Sequence, residues 1–246
     1  SRGLGDVYKR QEKYGLTEAL IAVPAYEQSS DQEVAFQAVD YILRVLKKNM
    51  VFGMTWGRAM HEFVEQLAKD ERLRSLSFQN VKVVPFLGTP GAIQSDSWNT
   101  TTYSNTLATK VGNLLHCASY NLSAPMYVEG TKEKELIESI DEIAKVLHMA
   151  ETADIALIGI GSMQDDSSII KAEIRTKEEY KELVRKGAVG EIVGRIYDKN
   201  GQTVDEDLKR KMVGISLDKI AKIPVRVGMS YGKDKIEAIK GAIAGG

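Results

Sequence analysis

Glycines and short polar side chains follow four apolar runs in this 246-residue sequence, where they could hold a small polar ligand. The first group comprises Gly53, Thr55, Trp56, Gly57 and Arg58. Unpaired N–H groups at the start of a helix bind anions, and Arg58 would add positive charge. An indole ring such as that of Trp56 can stack on the apolar face of a sugar. The group therefore predicts a ligand contact, with a tight turn and a packing tryptophan as the alternative.

The second group begins at Gly88 and Thr89 and continues as a polar stretch to Ser104. Long segments rich in short hydrogen-bonding side chains are typical of substrate loops. A solvated surface loop would have the same composition, so both interpretations stay open.

Gly159 and Gly161 form the third group, directly after an apolar run. They begin like the dinucleotide motif GxGxxG, but Gln164 stands where the third glycine belongs, so the fingerprint is incomplete. Two glycines that admit another ligand close to the backbone are the better interpretation. NAD binding is an alternative that depends on these two residues alone.

The fourth group places Lys233 and Lys235 at the start of the last predicted helix. Lysines there oppose the helix dipole, which favours negative charge at that end. An anion bound between them would explain this placement, and solvent-facing lysines are the alternative.

Residues that could carry catalysis are scattered. His61, His116 and His148 lack a metal-ligand spacing with a carboxylate or thiol, and neither a P-loop nor a G-x-S-x-G elbow is present. His61 could touch a ligand from the helix after the first group, or be an ordinary surface histidine. The single cysteine, Cys117, excludes an internal disulfide and fits a reducing compartment. We expect no catalytic residue, no metal and no cofactor.

Short strand-like runs alternate with helical periods and would position these groups. The pattern predicts strands at 20–24, 50–54, 81–86, 154–158, 192–197 and 224–229, and helices from Ser30, over 58–67, from about Asn105, along a stripe from Leu136 to Leu147, after Thr176 and over 233–244. Such alternation indicates a three-layer α/β/α fold with a mainly parallel sheet. Ligands bind beyond the carboxyl ends of such strands, where all four groups fall.

Composition narrows the class of protein. The chain is 43% hydrophobic and 27% charged, which is typical of a globular protein. It has 33 Lys and Arg against 34 Asp and Glu, so it lacks the excess of basic residues that DNA binding through the phosphates requires. Its longest wholly apolar run, Ala19 to Val23, is far shorter than the roughly 20 residues of a membrane helix. We expect a cytoplasmic protein that binds no membrane.

Residues 1–11, SRGLGDVYKRQ, contain two glycines and no apolar period. Their end, DVYKRQ, looks like a translated sequencing adapter, and an ordinary flexible tail is the alternative. We expect a non-native or disordered tail over 1–11 and one domain over 12–246, truncated at its C-terminus. Without the tail the chain is slightly more acidic.

The four groups, in order, resemble the effector domain of the SorC family of bacterial sugar-binding transcriptional regulators. The segments that carry the resemblance are VFGMTWGR (51–58), VVPFLGT (83–89), LSAP (122–125), DIALIGIG (154–161), GAVGEIVGRIYDKNG (187–201) and GMSYGKDKIEAIKGAIAGG (228–246). The resemblance implies a fold related to glucosamine-6-phosphate deaminase, ribose-5-phosphate isomerase and the CoA transferases. It also implies a non-catalytic homo-oligomer that senses a sugar or sugar phosphate and contacts DNA only through a helix-turn-helix domain absent from this chain.

The resemblance also assigns ligand-binding positions. They lie in the first loop, the second loop, the GxG segment, the turn after the fifth strand and the last helix: Gly53, Thr55, Trp56, Gly57, Arg58, Gly88, Thr89, Asn105, Gly159, Gly161, Asp198 and Lys235. Asp198 would accept sugar hydroxyls and Lys235 would meet a phosphate. Ala59 stands where the family usually has Thr, which removes one donor and favours a weaker phosphate grip or an unphosphorylated sugar.

An enzyme of the same fold, a sugar-phosphate isomerase or deaminase, is the alternative function. It would need a general base, for which Asp198, Glu191 and His61 are the candidates. For a sensor, we expect ligand to order the loop from Gly88 to Ser104 and to change oligomer contacts.

Overall fold

Five parallel strands form the central sheet of the computed structural model, which describes residue 9 and residues 11–22, 30–90 and 100–246. Their spatial order is β3-β2-β1-β4-β8, with every neighbouring pair parallel. Three further strands form a small antiparallel sheet in the order β5-β6-β7. The bounds are β1 Val51–Met54, β2 Lys82–Pro85, β3 Ala118–Ser119, β4 Ile155–Gly159, β5 Gly161–Ser162, β6 Ala188–Ile192, β7 Arg195–Asp198 and β8 Val225–Met229.

Helices cover both faces of the central sheet, so the predicted three-layer α/β/α fold is confirmed. One face packs on α1, α2 and α3, whose apolar stripes meet Phe52, Val83 and Leu157. The opposite face, with Val84 and Ala156, packs on α5, α7 and the small sheet. The helices are α1 Ser30–Val45, α2 Arg58–Leu67, α3 Ser104–Leu114, α4 Thr131–Glu138, α5 Asp141–Glu151, α6 Ser168–Lys171, α7 Lys177–Arg185, α8 Glu206–Lys211, α9 Leu217–Ile220 and α10 Ile236–Ala244.

Continuous apolar runs explain why β1, β2 and β4 lie at the centre. Phe52, Met54, Val83, Val84 and Ile155 are all fully buried. A strand that packs on both faces needs such a run, whereas a half-exposed strand alternates with polar residues. The inner strands therefore agree with the sequence prediction to within about two residues.

The expected strand over residues 192–197 is wrong, because the chain turns back in its middle. Val193 and Gly194 have φ angles of 54° and 68°, the left-handed pair that closes a two-residue hairpin between β6 and β7. The Glu191 carboxylate accepts the Gly194 N–H group and stabilises the turn. Asp198 then makes the predicted DKNG turn, since its Oδ1 accepts N–H groups of Asn200 and Gln202, each at 2.9 Å.

The apolar stripe from Leu136 to Leu147 spans two helices, where the sequence predicted one. Ile140 is extended, with φ −65° and ψ 123°, and separates α4 from α5. Asp141 and Glu142 then occupy the first turn of α5, where the helix dipole favours negative charge. The break leaves Leu136 and Ile140 largely exposed.

The predicted start of α7 is confirmed, whereas the expected first strand is not. Thr176 and Glu179 form the expected capping box of α7, and Gly187 after it has φ 98°. Residues 20–22 of the expected first strand lie in no strand, and residues 23–24 fall outside the described ranges. Most of the expected tail, residues 1–8 and 10, and residues 91–99 of the second loop also lie outside them.

Gly53 in β1 is required because the Phe86 ring lies directly over it. A Cβ atom at this position would stand 1.9 Å from Phe86 Cε1. We predict that Gly53→Ala destabilises the domain by about 2 kcal/mol, the usual cost of overpacking a core. Urea unfolding of Gly53→Ala, Phe86→Leu and the double variant measures this. The loss of unfolding free energy in the double variant should be smaller than the sum of the losses in the two single variants. A loss equal to that sum would contradict the contact between Gly53 and Phe86.

Candidate functional site

The order of the central sheet reverses between β1 and β4. From β1 the chain adds β2 and then β3 on one side, and it returns to place β4 and β8 on the other. Loops leaving β1 and β4 therefore diverge and open a crevice beyond their carboxyl ends, the place where ligands bind in such sheets. The term crevice here means the space that is bordered by residues 55–58, 159–162, 191 and 232–235.

Thr55 joins the two strand ends. Its side chain is fully buried, and Oγ1 accepts the Gly159 N–H group at 3.1 Å, while its own N–H group donates to Leu157 O at 3.2 Å. A Cβ on Gly159 would meet its nearest neighbours only at 3.7–3.8 Å. Thr55 thus sets the width of the crevice, and Gly159 leaves its floor open.

Helix α2 starts at the crevice with no side-chain cap. Its N-cap residue is Gly57, whose φ of 101° favours glycine and whose N–H group donates to Thr102 O at 2.9 Å. Arg58 is exposed and pairs with Asp166 at 2.9 Å. One turn later, His61 Nδ1 is buried without a hydrogen-bond partner in the described part of the chain. The helix start therefore presents backbone donors and one paired cation.

Glu191 is a buried acid in the wall of the crevice. Trp56, itself buried, hydrogen-bonds to its carboxylate, and the Gly194 N–H group donates to Oε1 of the same carboxylate. A Cβ on Gly161 would lie 2.9 Å from Glu191 Oε2, so a larger residue there would push this carboxylate aside. Desolvation raises the pKa of Glu191 to about 7, although Gly194, Trp56 and Lys235 all favour the charged form.

Lys235 closes the crevice on the side of α10. Its Nζ donates to Ser162 Oγ at 2.8 Å and lies 3.3 Å from Asp234 Oδ2. Ser162 Oγ in turn donates to the same Asp234 oxygen at 2.6 Å. The Lys235 side chain is one-fifth exposed, and its charge lies close enough to Glu191 to favour ionisation of that carboxyl group. Lys233 is exposed, so of the two lysines only Lys235 turns into the crevice.

Gly88, Thr89 and Asn105 form a clamp beside the crevice. The Asn105 amide nitrogen donates to Thr89 Oγ1 at 2.8 Å and to Leu122 O at 3.1 Å, and its oxygen accepts the Leu122 N–H group at 2.9 Å. A Cβ on Gly88 would lie 2.5 Å from Ala124 O. These residues fix the two ends of the second loop against the segment after β3.

Gly53 and Asp198 lie apart from the other sequence-predicted residues. Gly53 is inside β1 beneath Phe86, and Asp198 is at the hairpin turn after β7. The Asp198 carbonyl contacts Gly241 near the end of α10, whereas Lys235 precedes that helix. Gly241 follows Lys235 by six residues, which corresponds to about 9 Å along the helix axis.

Four residues in or beside the crevice are absent from the predicted ligand-binding positions. They are Ser162, Asp166, Asp234 and Glu191, of which the sequence indicated only Glu191, as a base for the enzyme alternative. Ser162 directly follows the GxG segment and Asp234 lies between the two lysines, so proximity in sequence was the available signal.

An open groove elsewhere shares no residue with the crevice. It has a volume of about 700 Å³, lies between α5 and the segment after β3, and is lined by residues that include Tyr120, Glu142, Ile143 and Met149. None of the helices among the described residues has the length and apolar character needed to span a bilayer.

The chain is similar to a family of sugar-binding domains and to bacterial transcriptional regulators. The family model described as "Putative sugar-binding domain" matches residues 9–246. The sorbitol operon regulator of Klebsiella pneumoniae is 27% identical over 96% of this chain and 72% of its own length, and the deoxyribonucleoside regulator of Bacillus subtilis is 24% identical over the same shares. The crystal structure of full-length SorC from Klebsiella pneumoniae aligns with a TM-score of 0.86 and 26% identity, covering 100% of this chain and 76% of that one.

The raised pKa of Glu191 makes stability depend on pH. The folded state holds this proton more tightly than the unfolded chain, so the stabilisation is complete below the ordinary pKa of 4.5 and is lost as the pH rises through about 7. Glu191→Gln removes this loss. We predict that the free energy of unfolding of the variant, relative to that of the wild type, rises by up to about 3 kcal/mol as the pH increases from about 4.5 to above 7.

Urea unfolding of both proteins across this pH range checks the prediction. Parallel curves of unfolding free energy against pH would show that Glu191 titrates normally, and would contradict it.

Proposed function

The chain belongs to the family of sugar-binding domains of SorC-type transcriptional regulators, and from this premise we propose that its crevice binds the effector sugar. The predicted family, its fold related to glucosamine-6-phosphate deaminase and ribose-5-phosphate isomerase, and its role as a sugar-binding domain are confirmed. The observation that supports the crevice as the site is the convergence of Lys235, Ser162 and Glu191 where the sheet order reverses.

The predicted ligand-binding residues divide by their contacts. Gly57, Arg58, Gly159, Gly161 and Lys235 border the open space, and in our proposal they touch the sugar through close approach of the backbone or through charge. In this proposal the remaining predicted residues do not contact the sugar and instead position other residues of the site. They are Gly53, Thr55, Trp56, Gly88, Thr89, Asn105 and Asp198.

Sugar hydroxyl groups match this lining. Each hydroxyl can donate one hydrogen bond and accept others, so it suits a site that pairs donors such as Lys235 with acceptors such as the carboxylate of Asp234. The buried Trp56 ring lies against the same wall, although its indole N–H is already engaged with Glu191. The lining therefore supports a ligand rich in hydroxyl groups.

We also propose that the sugar controls DNA binding. Two relatives are named for what they regulate, a sorbitol operon and deoxyribonucleosides. We infer by analogy that a sugar shifts this domain between pre-existing states and that a separate helix-turn-helix domain reads the shift, through contacts within a homo-oligomer. The proposal includes no reaction.

The isomerase or deaminase alternative is not favoured. The relatives are transcriptional regulators. Glu191, with its pKa near 7, is the crevice residue best suited to be a general base, but its carboxylate is engaged with Trp56 and the Gly194 N–H group. Turnover of glucosamine 6-phosphate or ribose 5-phosphate by the purified domain, lost in Glu191→Gln, would reinstate it.

Sugar binding should raise the melting temperature, because a ligand that binds only the folded state stabilises it. A panel of sugars, polyols and their phosphates, measured by thermal shift, identifies the effector. We predict that Lys235→Met weakens binding of that effector by about tenfold, the usual loss for a hydrogen bond from a charged group.

Lys240→Met is the matched control. Lys240 lies on α10, is half-exposed and pairs only with Glu237 among the described residues, at 2.7 Å. The Lys240→Met variant should bind the effector with the affinity of the wild type. Equal affinity of Lys235→Met and Lys240→Met would exclude the crevice as the site, and a panel without any shift would count against the function.

A further inference from the structure

A carboxylate of the protein already occupies the cationic end of the crevice. The same oxygen, Asp234 Oδ2, accepts from Ser162 Oγ at 2.6 Å and lies 3.3 Å from Lys235 Nζ. Ser162 and Lys235 also contact each other, at 2.8 Å. A hydroxyl and an ammonium group that converge on one anionic oxygen are the arrangement that a phosphate oxygen would require.

The Asp234 side chain has no capping role that explains this position. Gly232 caps the 3₁₀ turn over Lys233–Lys235 without a side-chain hydrogen bond, and α10 likewise has no side-chain cap. The carboxylate is instead turned toward Ser162 on β5, which follows the carboxyl end of β4. Its hydrogen bond from Ser162 and the charge of Lys235 hold the pKa of Asp234 below its usual range. Asp234 therefore stays charged at neutral pH.

The second cation at the crevice is paired in the same way. Arg58, at the start of α2, contacts Asp166 at 2.9 Å. With the buried Glu191 in the wall, the crevice brings three carboxyl groups to these two cations. A phosphate dianion would have to displace Asp234 and would then remain beside it. Two like charges in contact repel, and the repulsion persists although the Asp234 side chain is 41% exposed.

We propose that Asp234 determines ligand specificity, by acting as an internal anion that excludes phosphate from Ser162 and Lys235 and so selects an uncharged sugar or polyol. This inference rests on the proposed function of the crevice. An uncharged sugar needs no displacement, because its hydroxyl groups donate to Asp234 and accept from Lys235.

Inorganic phosphate tests the inference without knowledge of the natural sugar. Titration calorimetry compares the wild-type domain with Asp234→Asn, which keeps the shape and removes the charge. We expect the variant to bind phosphate at least about tenfold more tightly, from the loss of one like charge in contact. Asp234→Ser provides a second variant should the asparagine disturb folding, which circular dichroism reports.

Glu237→Gln is the matched control, since it removes one negative charge three residues further along the chain, in the first turn of α10. Glu237 pairs with Lys240 at 2.7 Å and is largely exposed. Its phosphate affinity should equal that of the wild type. Equal phosphate affinity of the wild type and both Asp234 variants would overturn the inference, and so would an increase of the same size in Glu237→Gln.

A second arm separates this inference from the proposed function. D-sorbitol and 2-deoxyribose are each compared with their phosphate monoesters, and the wild type should bind an uncharged member more tightly. Tighter binding of a phosphate monoester by the wild type would overturn the inference while leaving the sugar-binding function intact. If neither pair nor the wider panel binds, the function fails, and the phosphate titration still decides the role of Asp234.

Discussion

The hydrogen bond between the Thr55 hydroxyl and the Gly159 N–H group joins the two strands between which the sheet reverses its order. Every other feature of the crevice is placed relative to this junction. The start of α2 follows Thr55 by three residues, and β5 with Ser162 follows Gly159 by two. A threonine can make this bond and still fit a fully buried site, because its methyl group packs while its hydroxyl is satisfied.

Charge balance then decides what the junction can hold. Lys235 and Arg58 are each paired with an aspartate, and the third acid, Glu191, is buried where its proton is held unusually tightly. A helix start without a side-chain cap provides donors that carry no net charge. The crevice thus combines many hydrogen-bonding groups with little uncompensated charge, which is the character of a site for hydroxyl groups.

Local sequence signals predicted the parts of this site that depend on neighbouring residues. Apolar runs located β1 and β4, and glycines marked the loops after them. Contacts between distant segments could not be read in the same way: Ser162 meets Lys235 across 73 positions because β4 pairs with β8. The hairpin at Val193 also contradicts local preference, since a β-branched residue with positive φ is rare, and the Glu191 carboxylate stabilises it.

Nuclear magnetic resonance of backbone amides can show whether the effector binds in the crevice. The sugar or polyol that stabilises the domain most is titrated into ¹⁵N-labelled protein. If the effector binds there, the largest changes in chemical shift occur at Gly57, Gly159, Gly161 and Ser162. Changes concentrated instead around Tyr120 and Met149, in the groove beside α5, would contradict it.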